Sequence, residues 1–252
     1  MSSLFRALLD AYLPKRCGVC HRANTRNLVC RGCRPADEID SSVKRCSWCW
    51  SSYVELSSTN VRDGPNKHEC AQCRAGYRPP YSMHYMWDYS GKARELIVAM
   101  KYQPHAEIAD WSAKLLIESI GSCLREENGS PVVIPIPSTP RNYAARLFSP
   151  SERIAASVAK VFGYQLITGA LIHRDFLPSQ SSLDETERKR NARGSLLFSG
   201  KLDTEHVILI DDVVTTGSTL DSATHLLKLS GVKKITAWCI ARNPRWRAQY
   251  KG

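Results

Sequence analysis

The chain has 252 residues, 35 Lys and Arg against 24 Asp and Glu, and ten cysteines. That length suits one or two domains, and the ordinary balance of apolar and charged residues excludes wholesale disorder. No stretch approaches the roughly 18 consecutive apolar residues that span a bilayer, so no transmembrane segment is expected.

The chain opens with Leu4, Phe5, Leu8, Leu9, Tyr12 and Leu13, interrupted by Arg6 and Asp10. This is helical spacing, not the unbroken apolar core of a signal peptide. It reads as a helix packed on its own domain. Export is not expected, the location reads as cytoplasmic, and the cysteines do not read as a disulfide framework. Residues 1–80 carry 13 basic and 7 acidic side chains, and residues 81–252 carry 22 and 17, so the net charge of +11 is spread along the chain. A basic balance attracts polyanions without choosing between a nucleic acid and a phosphorylated metabolite; a solubilising surface explains it equally well.

Eight cysteines fall in the first 73 residues as four pairs of one spacing: Cys17/Cys20, Cys30/Cys33, Cys46/Cys49 and Cys70/Cys73. Two intervening residues let both thiolates turn toward one ion, and two such knuckles complete a tetrahedral site. One such pair alone is compatible with a redox motif. Four in succession, with no strand–helix–strand pattern around them, point to two zinc sites. Nearest-neighbour pairing joins Cys17, Cys20, Cys30 and Cys33, then Cys46, Cys49, Cys70 and Cys73; an interleaved pairing remains open. Four sulfur ligands leave no position for a catalytic water, so both sites read as structural. Metal binding then supplies folding energy that this segment's sparse apolar pattern does not. His21 and His68 read as solvated neighbours, because the cysteines already close both sites. Lys44, Arg45, Trp48 and Trp50 set aromatics beside cations at the third knuckle. They read as packing of the small module or its junction, with base stacking as the alternative.

Tyr77-Arg-Pro-Pro-Tyr81 marks a boundary between residues 1–80 and 81–252. An aromatic run follows at 85–89. Ala93, Leu96, Ile97 and Met100 recur at helical spacing, and a second helical stretch covers 108–120. Residues 132–136 (Val-Val-Ile-Pro-Ile) have strand composition. Ser149-Pro-Ser-Glu152 predicts a helix start, with Ser149 as cap, Pro150 in the first turn and Glu152 closing a capping box. Residues 195–198 read as a short strand and 207–210 as a stronger one. A helix from 218 to 229 ends at Ser230-Gly231, and the next strand covers 234–241. Cys239 sits in that apolar run as a small buried hydrophobe, and Cys123 lies outside the knuckle pattern. Apolar strands alternating with helices predict an α/β fold with a buried parallel sheet flanked by helices.

One segment holds most of the chemistry: Val207-Ile-Leu-Ile-Asp-Asp-Val-Val-Thr-Thr-Gly-Ser-Thr219. It predicts two carboxylates at the end of a buried strand, a turn rich in hydroxyls, and a helix behind it. Ligands of open α/β sheets bind beyond the carboxyl ends of strands. The turn offers N–H groups and hydroxyls to a phosphate, and the helix adds its positive N-terminal dipole. Asp211 and Asp212 can accept from two sugar hydroxyls. Together these features describe a ribose-5-phosphate site. Neither a Walker A loop nor a GxGxxG loop is present.

These thirteen residues resemble the 5-phosphoribosyl-1-pyrophosphate (PRPP) motif of type I phosphoribosyltransferases. With the four knuckles, the chain resembles the ComF/GntX-like family, a double zinc ribbon joined to a type I phosphoribosyltransferase domain. Looser matches are Tyr89-x-Gly91, Lys101-Tyr102, Ile134-Pro-Ile-Pro137, and Gln180-x-x-Leu183 leading to Arg188, Asn191 and Phe198. The resemblance implies that Asp211 and Asp212 hold the ribose 2- and 3-hydroxyls and help stabilise a cationic sugar in the transition state. It implies that Thr215, Thr216, Gly217, Ser218 and Thr219 bind the 5-phosphate. The loop around Ser138, Thr139 and Arg141 would meet pyrophosphate, with Mg2+ accompanying PRPP. The basic stretch 188–193 would close over the site. Family members commonly carry Arg-Gly-Phe-Asn-Gln after the pyrophosphate strand. Here the stretch is Ala145-Arg-Leu-Phe-Ser-Pro150, keeping only Arg146 and Phe148. Three functions stay open: a PRPP-dependent transferase, a protein that handles single-stranded DNA with competence proteins as partners, and a PRPP sensor without turnover.

Overall fold

The computed structural model describes residues 16–22, 27–35, 44–52, 69–76, 78–102, 106–121, 131–174 and 195–246. The helix expected at 4–13, His68, Cys123, the 180–183 match and the basic stretch at 188–193 lie outside the described residues.

Five parallel strands form the main sheet: β1 (Ser82–Asp88), β2 (Val132–Pro135), β3 (Gln165–Leu166), β6 (His206–Val214) and β7 (Lys234–Arg242). Their order is β1-β7-β6-β2-β3. The central strands explain themselves from composition. Along β6, Val207 and Leu209 point to one layer and Ile208 and Ile210 to the other, and all four are fully buried. A strand covered on both faces needs apolar residues at every position, and this one has them. β7 repeats the pattern, with Trp238 and Ile240 on one face and Ala237 and Cys239 on the other. Cys239 is thus the buried small hydrophobe expected, and burial followed by the nearby Asp211 charge pushes its thiol pKa well up, leaving it unreactive.

Among the described residues, four helices cover the two faces. α2 (Gly91–Tyr102), α3 (Ala106–Gly121) and α5 (Pro150–Phe162) pack on the Ile208 face, and α6 (Ser218–Leu229) packs on the Val207 face. α5 starts as its sequence predicts: Ser149 Oγ accepts from Glu152 N at 3.4 Å, and Pro150 occupies the first turn. The Ser149 half of the capping box is therefore present. α6 ends at Ser230, and Gly231 at φ +100° takes the left-handed position that only glycine adopts without strain.

Three elements add to the sequence reading. The aromatic run is strand β1, paired with β7 from Ser82↔Thr236 to Asp88↔Arg242. Its residues Tyr85, Met86 and Trp87 are buried in succession, so it lacks the alternation that identifies a strand. The strand at Leu196–Phe198 (β5) is not in the main sheet; it pairs antiparallel with β4 (Leu171–His173). A helix that composition did not suggest, α4 (Pro140–Arg146), follows β2, and Thr139 caps it by accepting from Asn142 N.

The two cysteine-rich modules sit on opposite faces of the sheet. Cys17, Val29 and Cys33 join the Ile208-face core beside Ile108. The approach is close: a Cβ at Gly18 would lie 3.0 Å from Ile108 Cδ1. Cys46, Cys49, Cys70 and Cys73 join the Val207-face core beside Tyr81, Met83 and Tyr85. The one-turn α1 (Ala71–Arg74) carries Cys73. Trp48 and Trp50 pack at this junction. Met83 N donates to Trp48 O at 2.7 Å, Trp48 Nε1 donates to Pro79 O at 3.1 Å, and the Trp50 ring lies 4.3 Å from that of His84. Arg242, at the end of β7, lies between the Tyr85 and Trp246 rings and donates to Ser51 Oγ at 2.9 Å. Buried between aromatic faces, its guanidinium ties the second module to the sheet.

Candidate functional site

β2 pairs with β6 only as far as Pro135↔Ile210, and Ile136 N donates to Ile210 O at 2.8 Å. The next residue of β6 is Asp211. β6 itself does not stop there; it continues along β7 to Val214↔Arg242. The carboxylates therefore lie where one neighbouring strand has ended and the other has not, three and two residues before the strand's own end. The sequence pattern placed them at the end of β6. The difference arises because β7 is long enough to keep pairing after β2 has left.

The two carboxylates meet different partners, both from helices of the Ile208 face. Asp212, only 7% exposed, forms an ion pair with Lys101 of α2, Nζ to Oδ2 at 2.9 Å. Its Oδ1 accepts from Val213 N at 2.8 Å. Asp211 Oδ1 accepts from Asp212 N at 2.8 Å and from Ser151 Oγ of α5 at 3.4 Å. Burial first, then the neighbouring Asp212 charge, pushes the Asp211 carboxyl up to about 8, against the opposing pull of Lys101. Lys101 balances the charge of the pair through its contact with Asp212. Two adjacent carboxylates are stable at a buried strand position on those terms.

After Val214 comes the hydroxyl-rich turn. Gly217 adopts φ +89° and stands as the N-cap of α6. Thr216 Oγ1 lies 3.0 Å from Ser218 Oγ and accepts from Ser218 N at 3.3 Å. Thr215, Thr216 and Ser218 are exposed. The turn thus presents hydroxyls and first-turn N–H groups at the positive end of a 12-residue helix.

The loop after β2 reaches the same place through hydroxyls. Ser138 Oγ lies 3.3 Å from Ser149 Oγ, the cap of α5, and Ser151 of that helix reaches Asp211. Ser138 and Thr139 lie in the loop, but Arg141 is on α4. Lys101 is the residue that sequence reasoning did not assign to the site. A signal was present in the Lys101-Tyr102 match, with no indication that the lysine meets Asp212.

The cysteines pair as nearest neighbours. The sulfurs of Cys17, Cys20, Cys30 and Cys33 all lie within 4.8 Å of one another, as do those of Cys46, Cys49, Cys70 and Cys73. Cys20–Cys30 and Cys49–Cys70 are each 3.8 Å apart, far beyond a disulfide and equal to the edge of a tetrahedron with metal–sulfur bonds of about 2.3 Å. The donor set fits zinc. Burial opposes ionisation of Cys17, but N–H groups of Cys20, Cys30 and Val19 bring its thiol down to about 6. Hydrogen bonds from Cys49 and Cys73 pull Cys46 lower still. Burial, then its cysteine neighbours, push Cys33 up, and Cys46 and Cys49 push Cys73 up. Each cluster thus sets a lowered thiol beside a raised one, and the charge of a bound cation would favour ionisation of the set.

Residues 152–250 match the phosphoribosyl transferase domain family. The chain carries such a domain, preceded by two four-cysteine clusters that fit a double zinc ribbon. It is a homologue of DNA utilization protein YhgH from Salmonella typhi, 26% identical over 176 residues that cover 69% of this chain and 77% of that protein. It is likewise related to Competence protein F from Haemophilus influenzae, 23% identical over 222 residues, 86% of this chain and 91% of that one. A purine phosphoribosyltransferase from Pyrococcus horikoshii Ot3 superposes with a TM-score of 0.36 at 20% identity, over 54% of this chain and 75% of that one. So loose a superposition carries no argument. The family match covers both carboxylates and the turn; Lys101 lies outside it. No helix among the described residues is long and apolar enough to cross a membrane.

Proposed function

We propose that the chain is a ComF-like protein that binds PRPP with Mg2+ and acts in the cytoplasm on incoming single-stranded DNA during natural competence. The observation that carries the donor half is the paired carboxylate on β6 leading into the left-handed Gly217 turn and α6. Asp211 and Asp212 accept hydrogen bonds from the ribose hydroxyls. Thr215, Thr216, Gly217, Ser218 and Thr219 receive the 5-phosphate, and Ser138, Thr139 and Arg141 meet the pyrophosphate. Mg2+, arriving with PRPP, offsets leaving-group charge. Transfer requires Lys101 to yield part of its hold on Asp212 or to turn toward the pyrophosphate. The DNA half rests on the names of the relatives and on the basic balance of the chain.

Residues 1–80 act as a zinc-holding unit and 81–252 as the phosphoribosyl unit. Cys17, Cys20, Cys30 and Cys33 hold one structural zinc, and Cys46, Cys49, Cys70 and Cys73 the other. Zinc, when bound, supplies folding energy and no chemistry, since four sulfurs close each site.

A PRPP sensor without turnover is favoured by one observation. Leu147 takes φ +60° at the position where the resembled stretch carries glycine. The pyrophosphate side therefore departs from the transferase pattern in sequence, with a leucine holding a left-handed conformation that favours glycine.

The test is calorimetric titration of the zinc-loaded protein with PRPP and Mg2+. Micromolar binding that Gly217→Trp abolishes supports the donor site; no binding to the parent overturns it. Pyrophosphate release with a panel of acceptors then separates transferase from sensor.

A further inference from the structure

Among the described residues, five large apolar or aromatic side chains are exposed: Tyr102, Tyr143, Leu147, Val161 and Leu229. Three of them gather at one place. Tyr102, 71% exposed, ends α2 one residue beyond Lys101. Arg146 of α4 sets its guanidinium 5.2 Å from the centre of the Tyr102 ring. Tyr143 is three residues before Arg146 and so lies on its side of α4, and Leu147 follows as the cap of that helix. Leu147 is 81% exposed and holds φ +60°, a left-handed conformation unfavourable for any residue with a Cβ. Its N–H closes α4 by donating to Tyr143 O at 2.7 Å, but the cap position leaves a leucine side chain in solvent where glycine would carry no strain. Strain of this kind concentrates where a surface is used.

The charge of the patch indicates what it meets. α4 reads Pro-Arg-Asn-Tyr-Ala-Ala-Arg and carries no carboxylate, and Arg141 adds a second cation. The Arg146 Nε has no hydrogen-bond partner although it is shielded from solvent. Aromatic faces with guanidinium groups and no acid are complementary to a ligand that is flat and anionic. The bases of a single nucleic-acid strand stack on such rings, while a duplex hides its base faces.

We propose that Tyr102, Tyr143, Arg146 and Leu147 form a stacking platform for the bases of a single nucleic-acid strand at the rim of the carboxylate site. The proposal rests on the DNA half of the proposed function and is independent of PRPP binding. It assigns strand binding to the α/β domain, not to the aromatics at the third cysteine knuckle, for which the sequence offered base stacking only as the alternative to packing. Trp48 and Trp50 are instead engaged at the module junction.

The experiment uses the full-length zinc-loaded protein and a fluorescein-labelled oligothymidylate of roughly 20 nucleotides, read by anisotropy at low and moderate salt. Tyr102→Ala with Tyr143→Ala should weaken binding about tenfold or more, since stacking on each ring is lost. Tyr102→Phe with Tyr143→Phe keeps both ring faces and should restore it. Arg146→Gln should weaken binding and flatten its salt dependence. Val161→Ser and Leu229→Ser, exposed apolar positions elsewhere, should change nothing. PRPP titration of the same tyrosine variants should match the parent and shows that they fold. Strand binding without PRPP binding would keep the platform and remove the donor site. The platform is overturned if the parent does not bind the strand, or if the alanine pair binds as the parent does. It is also overturned if light scattering shows a dimer that the alanine pair dissolves, which would mean that a second copy of the chain covers the patch.

Discussion

The cysteine clusters and the carboxylate pair face one physical difficulty, like charges held at short range, and meet it in opposite ways. Each cluster gathers four thiols within 4.8 Å; lowered pKa at Cys17 and Cys46 is matched by raised pKa at Cys33 and Cys73. A metal ion bound there would supply the charge balance. The carboxylates bring their balance with them: Lys101 pairs with Asp212, backbone N–H groups serve both Oδ1 atoms, and Asp211 keeps its proton. A site balanced from outside folds only with its ion. A site balanced from within is preformed, and any ligand must compete with the groups already there.

The largest test of this contrast is Cys46→Ser. Structural zinc in zinc-finger peptides is worth about 10–16 kcal/mol in apparent terms, so losing one buried ligand should collapse the second module. Metal analysis should fall from two zinc ions toward one, with a lower Tm. Two ions retained would break the contrast. Replacing both carboxylates, Asp211→Asn with Asp212→Asn, should leave zinc content intact and weaken PRPP about 100-fold. That corresponds to roughly 3 kcal/mol for two charge-assisted hydrogen bonds. Retained PRPP affinity would refute the ribose assignment.

Lys101→Met strands the Asp212 charge, which is nearly buried, and should destabilise the fold by about 2 kcal/mol, read by denaturant unfolding. Adding Asp212→Asn should recover most of that loss, and a purely additive pair would show that the lysine does not balance the carboxylate.

A smaller effect is visible in pH. The folded state keeps the Asp211 proton up to about 8, whereas the unfolded chain releases it near 4. Between those values the folded state binds more protons, so this group makes stability fall as pH rises. Asp211→Asn should remove that slope. Its Tm gain over the parent should grow with pH, reaching about 2–4 °C if roughly 1 kcal/mol is recovered. A gain independent of pH would mean that Asp211 is ionised in the fold.

The smallest is Leu147→Gly, which should stabilise by about 0.5 kcal/mol in denaturant unfolding. Relief of left-handed strain, about 1–2 kcal/mol, exceeds the entropy that glycine adds to the unfolded chain. A loss of stability would show that the leucine side chain is held by contacts, and would weaken its reading as strained for use.

Much of this molecule was determined by local spacing. Two residues between cysteines bring two sulfurs together whatever the rest of the chain does. Apolar residues at every position of 207–210 require a strand covered on both faces. Ser149-Pro150 starts a helix and Ser230-Gly231 ends one, because caps act over a single turn. All of these were legible before any coordinates. What the tertiary structure alone decided concerns residues far apart in sequence. It joined the knuckles as neighbours and set the two clusters on opposite faces of the sheet. It placed β1 beside β7 although consecutive buried residues hide its strand pattern, and it ran β6 past the carboxylates because β7 outlasts β2. It also brought Lys101 across 111 positions of sequence to Asp212. Backbone periodicity acts within a few residues, whereas the partner of a buried charge is chosen by which helix packs over which strand.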